Sequence, residues 1–181
     1  GQVSSALLAA QVELQEAGFG IAGSEALDSR FAISTDGKQV TWRFKNEIGE
    51  PDQCAGLRLV DDAAATAPAR GFYSLAAKSC TTVSGVPWSG PELRPIASDA
   101  AFFEPMQKDG SAFAAGEREV GALTLQPSSG DGFRFQSASD TCLPYRQDDA
   151  ASQAGLRVSL RQDDQVLFSV CLPNLATSPV S

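Results

Sequence analysis

The chain has 181 residues, of which 43% are hydrophobic, and this is enough for one domain with an apolar core. Its formal net charge of −8 disfavours binding to nucleic acid or to an anionic membrane surface, since both need clustered Lys and Arg side chains. The sequence contains no histidine, which excludes catalysis by a Ser-His-Asp or Cys-His arrangement.

An amphipathic helix is predicted at the start of the chain, over residues 1–18. Five apolar residues recur at helical spacing on one face, namely Val3, Leu7, Ala10, Leu14 and Ala17. The polar residues Gln2, Glu13, Gln15 and Glu16 are expected to lie elsewhere on the helix surface. The helix ends clearly at Gly18, but no capping residue precedes its first apolar position. We therefore expect residues 1–23 to be the second half of a longer N-terminal helix, and residues 24–181 to be a globular, β-rich head.

After the helix, apolar residues recur at every second position, which is the spacing of β-strands. The strands predicted in the first half of the chain cover residues 31–33, 40–44, 57–60 and 71–78. Residues 40–44 alternate between apolar and polar types, with Trp42 on the apolar side, and this predicts a half-buried strand. Asp36-Gly37 predicts a hairpin turn before it. By contrast, residues 86–95 indicate a Pro-rich crossing without a strand.

The second half of the chain continues the strand pattern. Strands are predicted over residues 120–125, 133–136, 156–161 and 166–171. The last two are joined by the polar loop 162–165, which predicts another hairpin. The expected fold class is α+β, with one N-terminal amphipathic helix packed on a mostly antiparallel β-sheet.

The four cysteines, Cys54, Cys80, Cys142 and Cys171, are widely spaced and form no CxxC pair. Their even number in a turn-rich chain favours two disulfides and an oxidising compartment over a zinc site or free thiols. Three pairings are possible. We favour Cys54–Cys80 with Cys142–Cys171, because both are local and close loops of similar size.

No residue pattern indicates an active site or a cofactor site. The acidic pairs at residues 61–62, 148–149 and 163–164 lie in predicted loops and lack the ligand spacing of a calcium loop, so we interpret them as solvated turn residues. The sequence has no Ser-x-x-Lys motif and no Gly-rich phosphate motif. We expect no metal, no cofactor and no enzymatic activity.

The candidate functional residues are contacts for partner proteins. Trp42 is expected in the core, whereas Trp88 follows Pro87 in a loop and either fills the core or contacts a partner. One ring of Phe102-Phe103 is expected to face outward and to mark a subunit contact. With the apolar helix positions added, the predicted partner interface comprises Val3, Leu7, Leu14, Trp88, Phe102 and Phe103.

Three stretches of the chain resemble the minor pilins of type IV pili, specifically those of the PilW kind. Residues 8–21 resemble the helix end of that family, where an acidic, amphipathic turn runs into Ala-Gly-aromatic-Gly. Residues 52–56 resemble its first cysteine followed closely by glycine, and residues 72–80 resemble the strand that ends in a second cysteine. The alternating stretch 156–161 is also similar to the strand near the family's C-terminus.

The resemblance implies a type IV pilin-like fold with a truncated N-terminal helix, in which Cys54 pairs with Cys80. It also implies a non-enzymatic subunit of a tip complex that primes pilus assembly and can present an adhesin. The implied partners are other minor pilins, major pilin subunits and a tip adhesin. The head is expected in the periplasm, anchored to the inner membrane only by the missing part of the helix, and later at the extracellular pilus tip.

Three other functions are kept as alternatives. A J-type minor pseudopilin of a type II secretion system has related architecture but drives a periplasmic piston. A secreted, β-rich adhesin or binding domain would use the helix merely as its first element. A hydrolase is the least favoured, because the usual catalytic bases are missing.

Overall fold

The computed structural model describes residues 2–60, 65–66, 68–69, 71–98, 118–120, 123–125, 133–142, 153–162 and 165–175. Within these ranges the chain is mostly antiparallel β-sheet. One helix of several turns, α1 (Gln2–Leu14), opens it, and a helix of a single turn, α2 (Leu27–Arg30), follows.

Five strands form the first sheet, and each pairs antiparallel with its neighbour in the chain. In chain order and in sheet order they are β1 (Phe31–Ile33), β2 (Gln39–Phe44), β3 (Gln53–Val60), β4 (Gly71–Ser79) and β5 (Leu93–Ser98). The predicted hairpin at Asp36-Gly37 is confirmed, since it joins β1 to β2 with a φ of 75° at Gly37. The Asp36 carboxylate accepts hydrogen bonds from the Ser34 hydroxyl at 2.6 Å and from the Lys38 backbone N–H at 3.0 Å.

The second sheet lies in the C-terminal part of the chain. The later strands are β6 (Arg118–Val120), β7 (Leu123–Leu125), β8 (Phe133–Cys142), β9 (Gln153–Gln162) and β10 (Gln165–Leu172). The second sheet has the order β10-β9-β8, whereas β6 and β7 pair with each other. The single strand predicted over residues 120–125 is therefore wrong, because the chain reverses within it.

The predicted fold class is also wrong. We expected an α+β, type IV pilin-like fold with a truncated helix packed on one mostly antiparallel sheet. The described chain is instead mostly β, in two main sheets, and α1 is the only described helix longer than about one turn. The helix ends at Leu14, and residues 15–20 form turns that are held by bonds such as that from the Ala17 N–H to the Leu14 carbonyl at 3.0 Å. The fold differs from the expected one because the apolar faces of the two sheets cover each other. The helix α1 therefore covers only part of the core.

The main core lies between α1 and the two sheets. It joins side chains of the helix to the alternating apolar residues of both sheets. Trp42 is fully buried there, which confirms its predicted place in the core. Phe72 of the first sheet and Phe135 of the second have ring centroids 6.4 Å apart, within the range of favourable aromatic pairs. The two sheets and α1 therefore share one hydrophobic cluster.

The first sheet is covered on its other face as well. The segment after β4 folds over it and forms a second cluster of buried residues, which comprises Cys54, Leu75, Val83, Trp88 and Leu93. As a result Thr41 and Arg43 are buried although they alternate with the core residues of β2. The strand predicted at 40–44 is present as β2, but the prediction that it is half-buried is wrong, since both of its faces are covered.

A strand runs through part of the stretch that was predicted to be a Pro-rich crossing. β5 pairs with β4 and places Pro95 opposite Tyr73. Proline lacks the backbone N–H of a ladder bond, and this is tolerated on an edge strand such as β5. A one-turn 3₁₀ helix, Gly90–Glu92, leads into the strand.

Candidate interaction surface

The inner face of α1 is a continuous buried seam. Its apolar residues, together with Ala17 in the following turn, are almost inaccessible, and they are Ala6, Leu7, Ala10, Leu14 and Ala17. This face contacts β10, β5 and β3. The predicted apolar face is thus confirmed as the packing face from Leu7 onward. Leu7 and Leu14 contact the chain's own strands, so the structure places these two predicted interface residues in the core.

Two glutamates flank the seam and tie the helix to the first sheet. Oε1 of Glu13 accepts a hydrogen bond from the hydroxyl of Ser74 at 3.0 Å, and Oε1 of Glu16 accepts one from Nε1 of Trp42 at 3.1 Å. Burial raises the pKa of both carboxyls, and for Glu13 the hydrogen bond and the charge of Arg94 oppose the rise. Sequence reasoning placed both glutamates away from the packing face. The spacing of Glu13 from Ala10, three residues, was the available signal.

The turn after α1 is fixed to β2 and to the end of the second sheet. The N–H of Gly18 donates to the carbonyl of Arg43 at 2.8 Å, and the N–H of Lys45 donates to the carbonyl of Phe19 at 2.7 Å. Gly18 has a φ of 80°, and a Cβ there would meet the carbonyl oxygen of Asn174 at 2.5 Å. Only glycine fits both the dihedral angle and this close approach. The helix therefore leaves the core at a fixed position.

Apolar side chains are exposed on the outer side of this N-terminal element, next to the exposed polar residue Gln15. Leu8 and Val12, one helical turn apart, are 62% and 61% exposed, and Phe19 in the following turn is 52% exposed. Ile48 is fully exposed in the turn between β2 and β3, three residues after Lys45, whose N–H bonds to the carbonyl of Phe19. Sequence reasoning missed these four residues. For Leu8 the signal was its position outside the helical spacing of Leu7, Ala10 and Leu14, which defines the packing face.

Four charged side chains meet at the second face of the first sheet. Arg43, which is buried, pairs with Glu25 and with Asp52, where Nε and Oδ2 lie 3.2 Å apart. Lys45 approaches the other oxygen of Asp52 at 3.3 Å. Nη1 of Arg43 also donates to the carbonyl of Thr81 at 2.7 Å. Because two carboxylates face two cations, the cluster is neutral, and it holds the segment after β4 against β2.

Trp88 lies in the second cluster and is only 4% exposed. Its indole Nε1 donates to the carbonyl of Ala76 at 2.7 Å, and Nζ of Lys78 lies 5.2 Å from the ring centroid. The same Nζ pairs with Glu92 at 2.7 Å. The sequence left two places open for Trp88, in the core or at a partner contact, and the structure places it in the core. The side chain of Val3 and the residues Phe102 and Phe103 lie outside the described part of the chain, and their interface role stays a prediction.

Both disulfides favoured from the sequence are present. Cys54 pairs with Cys80 and Cys142 pairs with Cys171. The first joins β3 to the segment that covers the second face of the first sheet. The second joins the two outer strands of the second sheet, β8 and β10.

The described ranges hold no group of three or more His, Cys, Asp or Glu side chains that could bind a metal ion. All three acidic pairs considered as sites lie outside the described residues. In the same ranges no helix has both the length and the apolar composition needed to cross a membrane. No family model, no curated protein and no solved structure matches the chain.

Proposed function

We propose that this chain is a non-enzymatic subunit of a protein assembly, specifically a minor pilin that takes part in the tip or priming complex of a type IV pilus. The observation that carries the proposal is the arrangement of α1. One face of the helix is fixed to the head by the buried seam, while Leu8 and Val12 on the other side are exposed. A short helix held in this way presents a rigid apolar contact to another protein.

The physical argument concerns the cost of exposing these side chains. Covering an apolar side chain contributes on the order of 1.5–3 kcal/mol, so Leu8 and Val12 together offer a gain that is realised only when a partner covers them. Because α1 is already ordered by its seam, a partner does not have to order it on binding. The exposed pair is therefore suited to a protein contact.

The proposal makes no use of a pilin-type arrangement of helix and sheet. It is supported by the surface of α1 and by the sequence resemblance of residues 8–21 to the family's helix end. Two disulfides also suit a protein that works in an oxidising compartment such as the periplasm or the cell exterior. The proposed location is a periplasmic head before assembly and the pilus tip afterwards.

The test is genetic, in the organism that encodes the chain. The gene is deleted and restored as the full-length wild type, as the double variant Leu8→Ser/Val12→Ser, or as the control Ala9→Ser, which alters an exposed residue of the same helix. Sheared surface pili are quantified, and immunoblots confirm equal protein levels. We expect the deletion and the double variant to lose most surface pili, and the control to retain them.

The same strains separate the alternatives. Normal pili in the deletion strain would refute the pilus role. If secretion of type II substrates stopped instead, the chain would be a J-type minor pseudopilin. If both pili and secretion were unchanged, the assignment would pass to the secreted adhesin or binding domain.

A further inference from the structure

The outer face of the second sheet concentrates arginine side chains. The strands β8, β9 and β10 contain Arg134, Arg157 and Arg161, whereas Asp140 is their only acidic residue. The three arginines are partly exposed and alternate with buried core residues such as Leu160, which places them together on the face turned away from the core. A chain with a net charge of −8 thus carries a cluster of guanidinium groups on one sheet face.

The register of the sheet sets the spacing of these groups. Arg134 and Arg161 lie directly opposite each other in the β8–β9 ladder. Opposite side chains of an antiparallel pair have Cβ atoms about 4.5–5.5 Å apart, and like charges at that position repel each other. A carboxylate between the two guanidinium groups replaces this repulsion with two attractive contacts. Arg157 lies four residues before Arg161 along β9, which is about 13 Å at the rise of a strand. The face therefore has two carboxylate positions at a fixed separation.

Neutral oxygen atoms orient two of the guanidinium groups. Nη1 of Arg157 donates to the hydroxyl of Ser169 at 3.0 Å, and this hydroxyl lies 3.4 Å from that of Ser159. With its amide turned to satisfy both groups, Gln136 accepts a hydrogen bond from Nη2 of Arg134 at 2.9 Å. Each of the three arginines also has a further interaction within the chain. Because a guanidinium has five N–H donors, it can keep an internal partner and still bind a carboxylate.

The composition of this face favours a protein ligand over a nucleic acid. Guanidinium groups bind carboxylates through paired hydrogen bonds. Val166, which is paired with Arg161 in the β9–β10 ladder, is 41% exposed and adds an aliphatic contact. Among its described residues the face has no aromatic side chain on which a base could stack. Three arginines also neutralise few phosphates, so the electrostatic gain with a nucleic acid is small.

We infer that the outer face of the second sheet is a docking site for a carboxylate-rich segment of another protein, with one carboxylate bound between Arg134 and Arg161 and a second bound by Arg157. The hydroxyls of Ser159 and Ser169 lie beside these positions and can donate to further oxygen atoms of the segment. The site is on a different element from the exposed side chains of α1, and the inference does not require the pilus role.

The probe is the peptide acetyl-Ser-Glu-Ser-Glu-Ser-Glu-Ser-Glu-Ser-amide, and the matched probe has glutamine in place of every glutamate. In an extended peptide, glutamates four residues apart match the separation of Arg157 and Arg161. Binding to the complete 181-residue chain is measured by NMR titration at low salt, about 20 mM, where exposed charges are weakly screened. The key variant is Arg161→Gln. The control is Arg94→Gln, which makes the same change of charge at an exposed arginine of the first sheet.

We expect the glutamate probe to shift the backbone amide signals of Gln136, Ser159 and Ser169. Arg161→Gln should weaken its binding at least about fivefold, because a charge-assisted contact is lost. Arg94→Gln should change the affinity by less than about twofold, since an isolated surface charge contributes little. Arg161→Lys keeps the charge but loses the planar fork, so its affinity should lie between those of the wild type and Arg161→Gln. Unfolding curves identify any loss of folding in these variants.

Four results would overturn the inference. They are no binding at about 1 mM peptide, which corresponds to an affinity too weak to be useful, equal weakening by Arg161→Gln and Arg94→Gln, equal binding of the two probes, and tighter binding of a thymidine pentanucleotide with the same number of negative charges. The first result would mean that carboxylates of the chain itself, such as those of Asp163 and Asp164 next to β9 in the sequence, already satisfy the arginines. The last would assign the face to nucleic acid.

Discussion

The disulfide between Cys54 and Cys80 should make a large contribution to the stability of the head. It joins β3 to the segment that carries Val83 and Trp88 onto the second face of the first sheet. Among the described residues, the other contacts that hold this segment are the second cluster and a few polar contacts, such as those of Arg43. The double variant Cys54→Ala/Cys80→Ala tests how much the covalent link adds.

The expected magnitude follows from the loop that the bond closes. Cys54 and Cys80 are 26 residues apart, and the loop-entropy relation gives about 3.5 kcal/mol at 25 °C for a loop of this length. The bond between Cys142 and Cys171 spans 29 residues and gives nearly the same value by the same relation. Both variants should therefore lose similar free energy of unfolding if the effect arises in the unfolded chain.

Urea unfolding of the oxidised wild type and of the two double variants, followed by tryptophan fluorescence, measures the losses. The loop-entropy reasoning would be refuted if Cys54→Ala/Cys80→Ala lost less than about 1 kcal/mol, well below the usual range for a native bond. If its loss greatly exceeded that of Cys142→Ala/Cys171→Ala, native packing of the second cluster would be the larger cause. Near-equal losses of about 3.5 kcal/mol each would support the reasoning.

Four further substitutions test other parts of the structure by unfolding. Gly18→Ala should cost more than about 1–2 kcal/mol, because it adds left-handed strain to a clash with the Asn174 carbonyl; a loss below 0.5 kcal/mol, the scale of an ordinary surface change, would contradict this. Glu13→Gln tests the raised pKa. The folded state holds that proton more tightly than the unfolded state, so the wild type gains stability from it at low pH and loses that gain as the pH rises from about 4.5 through the folded pKa. The variant should match the wild type below that pH and become the more stable protein toward pH 7, and a pH-independent difference would argue against it. Arg43→Met should cost about 2 kcal/mol, because it removes charge-assisted hydrogen bonds. Arg30→Met should instead stabilise by about 1 kcal/mol, since Arg30 is buried and none of the described carboxylates pairs with it. Equal losses at the two arginines would contradict the distinction between them.

The sequence predicted those features that depend on neighbouring residues. The alternation around Trp42 and the dipeptide Asp36-Gly37 encode a strand and a turn locally, and both are present. The helical spacing that includes Leu7 and Leu14 predicted the packing face of α1 for the same reason. The cysteine pairing was also open to prediction, because the partners are close in the chain and a local pairing closes short loops.

The features that were missed depend on what covers a surface. Arg43 has the sequence position of a solvent-facing residue, and only the segment after β4, with Glu25 from the loop before α2, explains its burial. Periodicity reports whether a strand has one apolar face, but it does not report whether a loop covers the polar one. The exposed pair Leu8 and Val12 shows the converse, since the helical spacing identified the packing face of α1 and left the apolar residues outside that face unexplained.

Gly155 in the second sheet is required by a contact with a disulfide, and no local sequence pattern indicates that contact. Gly155 lies in the central strand β9, between the two strands that the disulfide Cys142–Cys171 connects. A Cβ at Gly155 would collide with Sγ of Cys142 and would lie 3.4 Å from Sγ of Cys171. The disulfide therefore crosses over β9 at this residue, and a bond between two outer strands is possible only because the strand between them has no side chain there. In sequence, Gly155 resembles any glycine near a strand end. Its role follows from the pairing of two cysteines that lie on either side of it in the chain.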